Sequence, residues 1–141
     1  MGGPFISHIG IAVADLDAAV SRWEKLLGCP PSLVTEVADQ SVRVAMFAPP
    51  GARDGACRRI ELIAATAPDS PVGRFVEKRG EGLHHLCLYV DDIESKLSEL
   101  KAAGVPLIDE TPRVGAEGRR VAFVHPRGTH GVLIEYEERP A

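Results

Sequence analysis

Aromatic side chains, paired cysteines and long apolar runs are all scarce in this chain of 141 residues. Only four Phe, two Tyr and one Trp are present, too few to line an aromatic binding groove. The three cysteines form no CxxC motif and are odd in number, which argues against a disulfide framework and favours a reducing compartment. No stretch reads as a signal peptide or a membrane span, so we expect a cytoplasmic protein without membrane contact.

Charge of either sign is also spread out. The formal net charge is −4, and no basic stripe interleaved with aromatic residues occurs, which excludes a typical nucleic-acid interface. The hydrophobic fraction of 45% and the charged fraction of 26% are ordinary for a globular protein. At this length we expect a single domain over residues 1–141.

The chain contains an internal repeat with an offset of 77 residues. The segment HIGIAV, which begins at His8, returns as HLCLYV from His85, and VAMFAP returns at the same offset as VAFVHP. An Ile-Glu pair that ends at Glu61 returns at Glu135, with three residues fewer in the connecting loop. The sequence therefore predicts two copies of one structural unit, related by a pseudo-twofold axis.

Each copy begins with a strand and a helix. Apolar residues alternate over 7–13 and again over 85–90, which is typical of strands with one buried face. Helical spacing of apolar residues follows over roughly 15–27 and 92–103, each helix starting at an aspartate and ending at a glycine.

Three further strands complete each copy, so that both have the order βαβββ. We predict these strands near 31–37, 42–48 and 57–64, and near 105–109, 119–125 and 131–137. Module 1 then covers about 5–66 and module 2 about 83–138, with a linker over 67–82 that contains a short helix near 71–79. The fold class is α+β, with helices on one sheet face and the other face free to curve around a groove.

Strand alternation places four candidate metal ligands on the groove side: His8, Glu61, His85 and Glu135. Imidazole and carboxylate together suit Co²⁺, Mn²⁺, Ni²⁺, Fe²⁺ or Zn²⁺, and leave positions open for water or substrate. Taken singly, a strand histidine is usually a satisfied or surface residue, and a strand glutamate is usually solvated. The duplication is what favours a metal site.

The remaining histidines and the cysteines carry less information. His84 has the opposite strand parity and is interpreted as a neighbour of the site. His125 and His130 lie at loop edges, where substrate contact and solvation are both open. The cysteines are interpreted as core or surface thiols.

Four motifs occur in a specific order: KRGEGLHH ending at His85, VDDI from Val90, FVHP from Phe123 and GVLIE ending at Glu135. With these motifs the chain resembles the vicinal oxygen chelate superfamily and, over essentially its whole length, the methylmalonyl-CoA epimerase family. The resemblance implies paired modules around a metal-binding cup, with His8, Glu61, His85 and Glu135 holding a divalent ion, Co²⁺ as the first expectation. It also implies an acyl-CoA substrate and a homodimer.

The reaction that the resemblance implies interconverts the C2 epimers of methylmalonyl-CoA by removing a proton and returning it on the other face. A metal ion stabilises the developing enolate oxygen as a Lewis acid. Inversion needs a base on each side of the carbon, and we expect Glu135 as one base and Glu61 as the other. Some family members carry a carboxylate where this chain has Val44, and valine cannot move a proton.

Candidate substrate contacts follow from the same resemblance. The loop before the third predicted strand contains Gln40, in a segment that often has the sequence Glu-Gln-Gly in the family. The coenzyme A tail is expected along the rim, where Arg119, Arg120 or Arg127 can meet phosphates. Solvated surface arginines are the competing interpretation.

Three other functions fit parts of the pattern. A glyoxalase I-type lyase uses the same ligand set on a glutathione hemithioacetal. An extradiol-type dioxygenase needs two histidines and one carboxylate around Fe²⁺, so that Glu61 would be surplus. A metal-free binding module of the same fold needs the aromatic groove that this composition lacks.

Overall fold

The structure, a computed structural model, describes residues 5–49 and 59–140 and divides into two compact units. The first unit runs from His8 to His84. The second unit joins the residues from His85 onward to the start of the first strand, up to Ser7. The expectation of a single domain over 1–141 stays a prediction.

The first unit follows the predicted order βαβββ and then adds a helix. Its elements are β1 (Phe5–Ala12, shared with the second unit), α1 (Leu16–Leu27), β2 (Leu33–Val37), β3 (Val42–Phe47), β4 (Arg59–Ala65) and α2 (Pro71–Arg79). The strands lie in the order β2-β3-β4-β1, in which β1 and β4 are parallel and the other pairs are antiparallel.

The second unit repeats that order. Its elements are β5 (Gly82–Val90), α3 (Ile93–Ala102), β6 (Arg113–Val114), β7 (Arg120–Val124) and β8 (Ile134–Glu138). The strands lie in the order β5-β8-β7-β6, and again the first and last strands of the unit are parallel neighbours. The α+β fold class with tandem βαβββ modules is therefore confirmed.

Both long helices start where the sequence predicts. The side chain of Asp15 accepts a hydrogen bond from the backbone N–H of Ala18 at 3.1 Å, and that of Asp92 accepts one from Ser95 at 3.0 Å. Such caps satisfy backbone donors that the first helical turn leaves without partners. At the end of α1, Gly28 adopts φ 73°, which a residue without a side chain does at low cost.

Each helix covers one face of its own strands. In the first unit, Leu16 of α1 belongs to a buried cluster with the strand residues Ala45, Phe47, Leu62 and Ala64. In the second, Ile93 and Leu97 of α3 form a smaller buried cluster with Val90 and Ala122. Burying each large aliphatic or aromatic side chain is worth roughly 1.5–3 kcal/mol, so these faces fix which side of each strand is apolar.

The strand predicted near 105–109 is wrong. Leu107 forms only an isolated bridge with Val124, and the edge strand is the two-residue β6. Pro106 has no N–H for a ladder, and the carboxylate of Asp109 takes the backbone N–H of Phe123 at 2.9 Å. Backbone hydrogen bonds with Phe123 and His125 remain, but the carboxylate of Asp109 takes the donor that a regular ladder would use at Phe123.

Three sequence-based expectations fall outside the described residues. They are the turn that the dipeptide Asp54-Gly55 predicts, the first residues of the strand predicted near 57–64, and the interpretation of Cys57 as a core or surface thiol. Cys29 and Cys87 form no disulfide among the described residues, and Cys87 is fully buried. Within residues 5–49 and 59–140, no helix is long and apolar enough to cross a membrane.

The turn before β3 holds a serine in the left-handed region. Ser41 has φ 55° and ψ 49°, and its carbonyl accepts a hydrogen bond from Thr66 N–H at 2.8 Å. A residue with a Cβ pays roughly 1–2 kcal/mol for this conformation, whereas glycine does not.

An ion pair joins β7 to β8, and its carboxylate also accepts a hydrogen bond from the start of α3. Arg120 donates from Nε and Nη2 to the two carboxylate oxygens of Glu138, at 3.1 and 2.9 Å, and Glu138 also accepts the Ile93 N–H at 3.2 Å. The hydrogen bonds from Arg120 are the main reason that the pKa of Glu138 lies below its ordinary value of 4.5.

We expect Ser41→Gly to raise the free energy of unfolding by roughly 1 kcal/mol, because it removes the left-handed strain. The same exchange at Ser21, in the interior of α1, is the matched control and should lower stability by about 0.5 kcal/mol. Urea denaturation measures both, and a loss of stability in Ser41→Gly would contradict the strain.

We expect Glu138→Gln to lower Tm at neutral pH and to lose this effect in acid. The folded-state pKa of Glu138 is depressed, so its contribution is present above 4.5 and disappears as the pH falls through the lower folded value. Thermal melts from pH 7 to pH 3 measure this, with the exposed Glu77→Gln on α2 as control. A Tm difference that persists below the acidic transition would exclude the ion pair as its cause.

Candidate metal centre

The first unit brings one histidine and one carboxylate together on the face that α1 does not cover. His8 lies on β1 and Glu61 on β4, and the parallel register of these strands places Gly10, two residues after His8, opposite Glu61. His8 Nε2 is 3.8 Å from Glu61 Oε2. The side chains of Met46 and Val44 share this face, since they stand opposite Glu61 and Ile63 on the antiparallel partner β3.

The second unit repeats the arrangement. His85 lies on β5 and Glu135 on β8, and the residue two positions after the histidine, Cys87, stands opposite the glutamate. His85 Nε2 is 3.2 Å from Glu135 Oε1. In both units, the four side chains lie on the strand face that the alternation of the sequence predicts.

All four side chains are buried, with exposed fractions of 3% for His8, 6% for Glu61, 4% for His85 and 8% for Glu135. Buried carboxylates and imidazoles are usually paired or bound to metal ions. Donors that share one ion at about 2.1 Å lie about 3 Å apart when adjacent, and the two N···O distances are of that order. The donor types and the spacing within each unit therefore suit ligands of a transition-metal ion.

The predicted substrate contacts have different surroundings. Gln40 ends the short 3₁₀ turn Ala38–Gln40 and is half-buried. Arg127 is exposed in the turn after β7, where its backbone N–H donates to His125 Nδ1 at 3.0 Å. Both positions are open to a ligand.

Arg120 lies on the face of its strand that α3 covers. Its neighbour on that face, Ala122, belongs to the helix-side core, and its partners are Glu138 and Glu94, the latter at 3.4 Å. Val121 and Phe123 face the other way, opposite Glu137 and Glu135. Arg120 thus stabilises the helix contact, and its predicted role in substrate binding rests on the resemblance alone.

Val44 is 2% exposed on the same face as Glu61. Its closest strand partners are Ile63 on β4 and Thr35 on β2. The place that carries a carboxylate in some relatives is therefore apolar here, and Glu61 is the buried carboxylate nearest to it in the register of β3 and β4.

The sequence reasoning missed a buried carboxylate at Glu137. It is 3% exposed and accepts a hydrogen bond from Ser7 Oγ at 2.8 Å, with Cys87 Sγ at 3.9 Å. Arg119 Nη1 lies 3.5 Å from its other oxygen and 2.9 Å from the hydroxyl of Tyr89. The spacing of two residues from Glu135 was the available signal, because it places both carboxylates on one strand face.

His84 lies on the face of β5 opposite to His85, as its strand parity predicts. Its ring packs edge-on against Phe75 of α2, with centroids 4.8 Å apart, and Arg79 stacks over the same phenyl ring at 5.6 Å. These contacts give the histidine a packing role within the first unit.

Comparisons with known proteins agree on one family. A family model described as the Glyoxalase/Bleomycin resistance protein/Dioxygenase superfamily matches residues 7–123. An ethylmalonyl-CoA/methylmalonyl-CoA epimerase of Cereibacter sphaeroides is 33% identical over 135 residues, which cover 94% of this chain and 96% of the relative. The uncharacterized protein YqjC of Bacillus subtilis is 40% identical over 130 residues, which cover 92% and 89%.

The solved structures agree with the sequences. A methylmalonyl-CoA epimerase in complex with methylmalonyl-CoA and NH4+ matches with a TM-score of 0.91 and 34% sequence identity. The match covers 99% of this chain and 97% of that structure.

Proposed function

This chain belongs to the methylmalonyl-CoA epimerases of the Glyoxalase/Bleomycin resistance protein/Dioxygenase superfamily, and from that premise we propose that it interconverts the two C2 epimers of methylmalonyl-CoA. The observation that supports this most is the repeated His–Glu pair, buried on the uncovered face of each unit.

We propose that the two pairs together hold one divalent ion, with His8, Glu61, His85 and Glu135 as its ligands. Two imidazoles and two carboxylates suit Co²⁺ first, and also Mn²⁺, Ni²⁺, Zn²⁺ or Fe²⁺. When bound, such an ion supplies Lewis-acid stabilisation of negative charge on the thioester oxygen. The role of the four residues is to bind the ion and keep it in one place, since the strand register fixes the position of each residue.

Glu135 and Glu61 are the proposed proton carriers, one from each unit. One of the two residues, as a carboxylate within hydrogen-bond reach, accepts the proton next to the thioester, and the other, which starts as the neutral carboxylic acid, donates its own proton to the opposite face of the carbon. The two residues end with their protonation states exchanged. Val44 cannot serve, and among the described residues of the first unit Glu61 is the buried carboxylate.

The remaining substrate contacts follow the family resemblance. We propose Gln40 and Arg127 as contacts of the acyl-CoA, since both are accessible to a ligand. Arg120 is proposed with them on the resemblance, although its guanidinium is engaged with Glu138. A homodimer and a cytoplasmic location are proposals of the same kind.

We expect metal-dependent loss of the C2 proton signal when methylmalonyl-CoA is followed by ¹H NMR in D₂O, with protein stripped and reloaded with Co²⁺. His85→Ala should abolish this exchange, because it removes a ligand. His84→Ala is the matched control, since the neighbouring imidazole contacts Phe75, and it should retain exchange. No exchange in any metal form would exclude the epimerase activity, and methylglyoxal with glutathione would then be the next substrate to test.

We expect Glu61→Gln and Glu135→Gln each to slow epimerisation by roughly 10²–10⁴-fold, the usual worth of a general acid or base. Glutamine keeps an oxygen that can bind metal, so bound metal is measured in parallel. Each variant should exchange deuterium from only one pure epimer, and from opposite epimers in the two variants. Unchanged turnover in a variant that still holds metal would remove that residue from the mechanism.

A further inference from the structure

We propose that Arg119 binds the free carboxylate of the malonyl group, with Glu137 and Tyr89 holding its guanidinium in position. This inference rests on the proposed function, since it assumes a substrate that carries a carboxylate close to a thioester. It gives Arg119, which the sequence offered only as one of three possible phosphate contacts, a different partner, on the strand face that carries Glu135.

The position of Arg119 follows from the alternation along β7. Arg120 and Ala122 face α3, so the residue before Arg120 faces the other way, with Val121 as its neighbour on that side. The contacts agree, because Arg119 Nη1 meets the hydroxyl of Tyr89 and a carboxylate oxygen of Glu137. Tyr89 and Glu137 stand opposite each other on β5 and β8.

The two adjacent arginines differ in how their donors are used. Arg120 donates from both Nε and Nη2 to Glu138 at 3.1 and 2.9 Å, which is a bidentate pair. The polar contacts that Arg119 makes with described residues all use Nη1, at 2.9 Å to Tyr89, 3.5 Å to Glu137 and 4.0 Å to Glu117. The edge formed by Nε and Nη2 is therefore available for a second, bidentate partner, and the side chain is 29% exposed.

Glu137 serves as the fixed anchor for this guanidinium. Its carboxylate is buried and is itself held by the Ser7 hydroxyl at 2.8 Å. The guanidinium also lies over the Tyr89 ring, with its carbon 5.9 Å from the ring centroid, and Phe5 packs edge-on against that ring at 5.4 Å. An arginine held by both a carboxylate and an aromatic residue loses little further freedom when it binds an anion.

An acyl-CoA of this kind offers two types of anion to the Nε–Nη2 edge of Arg119, the free carboxylate and the phosphates. The strand register favours the carboxylate. Glu137 and Glu135 are two residues apart on β8, so their side chains are separated by about 7 Å along one face. The free carboxylate of a malonyl group lies within a few bonds of the thioester oxygen, whereas the phosphates lie at the far end of the pantetheine arm. A guanidinium one step from Glu135 therefore fits the carboxylate.

The decisive measurement is the preference of Co²⁺-reloaded protein for malonyl-CoA over propionyl-CoA, obtained by calorimetry. The two ligands differ in the carboxylate alone, and binding requires no turnover. We expect Arg119→Gln to reduce this preference about tenfold or more, as the loss of hydrogen bonds to a charged group implies. Arg119→Lys keeps the charge beside Glu137 but not the donor edge, and should lose preference while Tm stays near the wild-type value.

Two further arginine variants sharpen the comparison. Arg43→Gln, a surface arginine 3.7 Å from Asp17, is the matched control and should keep the full preference. Arg120→Gln is measured in parallel, and the assignment is overturned if that variant loses the preference and Arg119→Gln does not.

The remaining outcomes separate the possible causes. If Arg119→Gln weakens both CoA ligands equally and leaves the N-acetylcysteamine thioesters unaffected, the residue contacts phosphate and the carboxylate assignment is wrong. Equal preference in all variants also overturns it. If wild-type protein shows an Arg119-dependent preference but no C2 proton exchange, the inference stands and the proposed function fails.

Discussion

Neighbouring side chains of a β-strand point to opposite faces, and in each unit a helix already occupies one of them. Because α1 and α3 cover the strand faces that carry Phe47, Leu62, Val90 and Ala122, the polar side chains of the same strands lie on the other face. His8, Glu61, His85, Glu135 and Glu137 all follow from that single restriction. The packing of each helix on its strands thus determines which side chains lie on the opposite, uncovered face.

Burial of these polar groups opposes stability within each unit. A buried carboxylate costs several kcal/mol unless hydrogen bonds or a cation offset the loss of hydration. Glu137 obtains compensation from Ser7 and Arg119, while the pairs His8–Glu61 and His85–Glu135 bring a base and a carboxylate within 3.8 and 3.2 Å. A cation bound by such a pair in the folded state alone would stabilise that state, so that ligand binding and folding are coupled.

Periodicity and duplication were enough to predict the βαβββ order, the helix caps at Asp15 and Asp92 and the parity of the four candidate ligands. They failed where individual side chains override the pattern. Pro106 and Asp109 interrupt the strand that the sequence predicts near 105–109. The choice between Arg119 and Arg120 also lay beyond the sequence, since it depends on the residue at which β7 begins. Glu137 was overlooked because its counterpart in the first copy, Ile63, is apolar.

In both units the first and last strands are parallel neighbours, so the histidine and its glutamate are distant in the chain. From His8 to Glu61 the separation is 53 residues, and from His85 to Glu135 it is 50. A ribosome must therefore release nearly a whole unit before either pair can close. Each His–Glu pair becomes complete only after most of its own unit has been synthesised, and a nascent chain truncated before Glu61 or before Glu135 has a histidine without its carboxylate. Loop-closure entropy makes such long-range pairing slow relative to helix formation, so the helices can form before each histidine meets its glutamate.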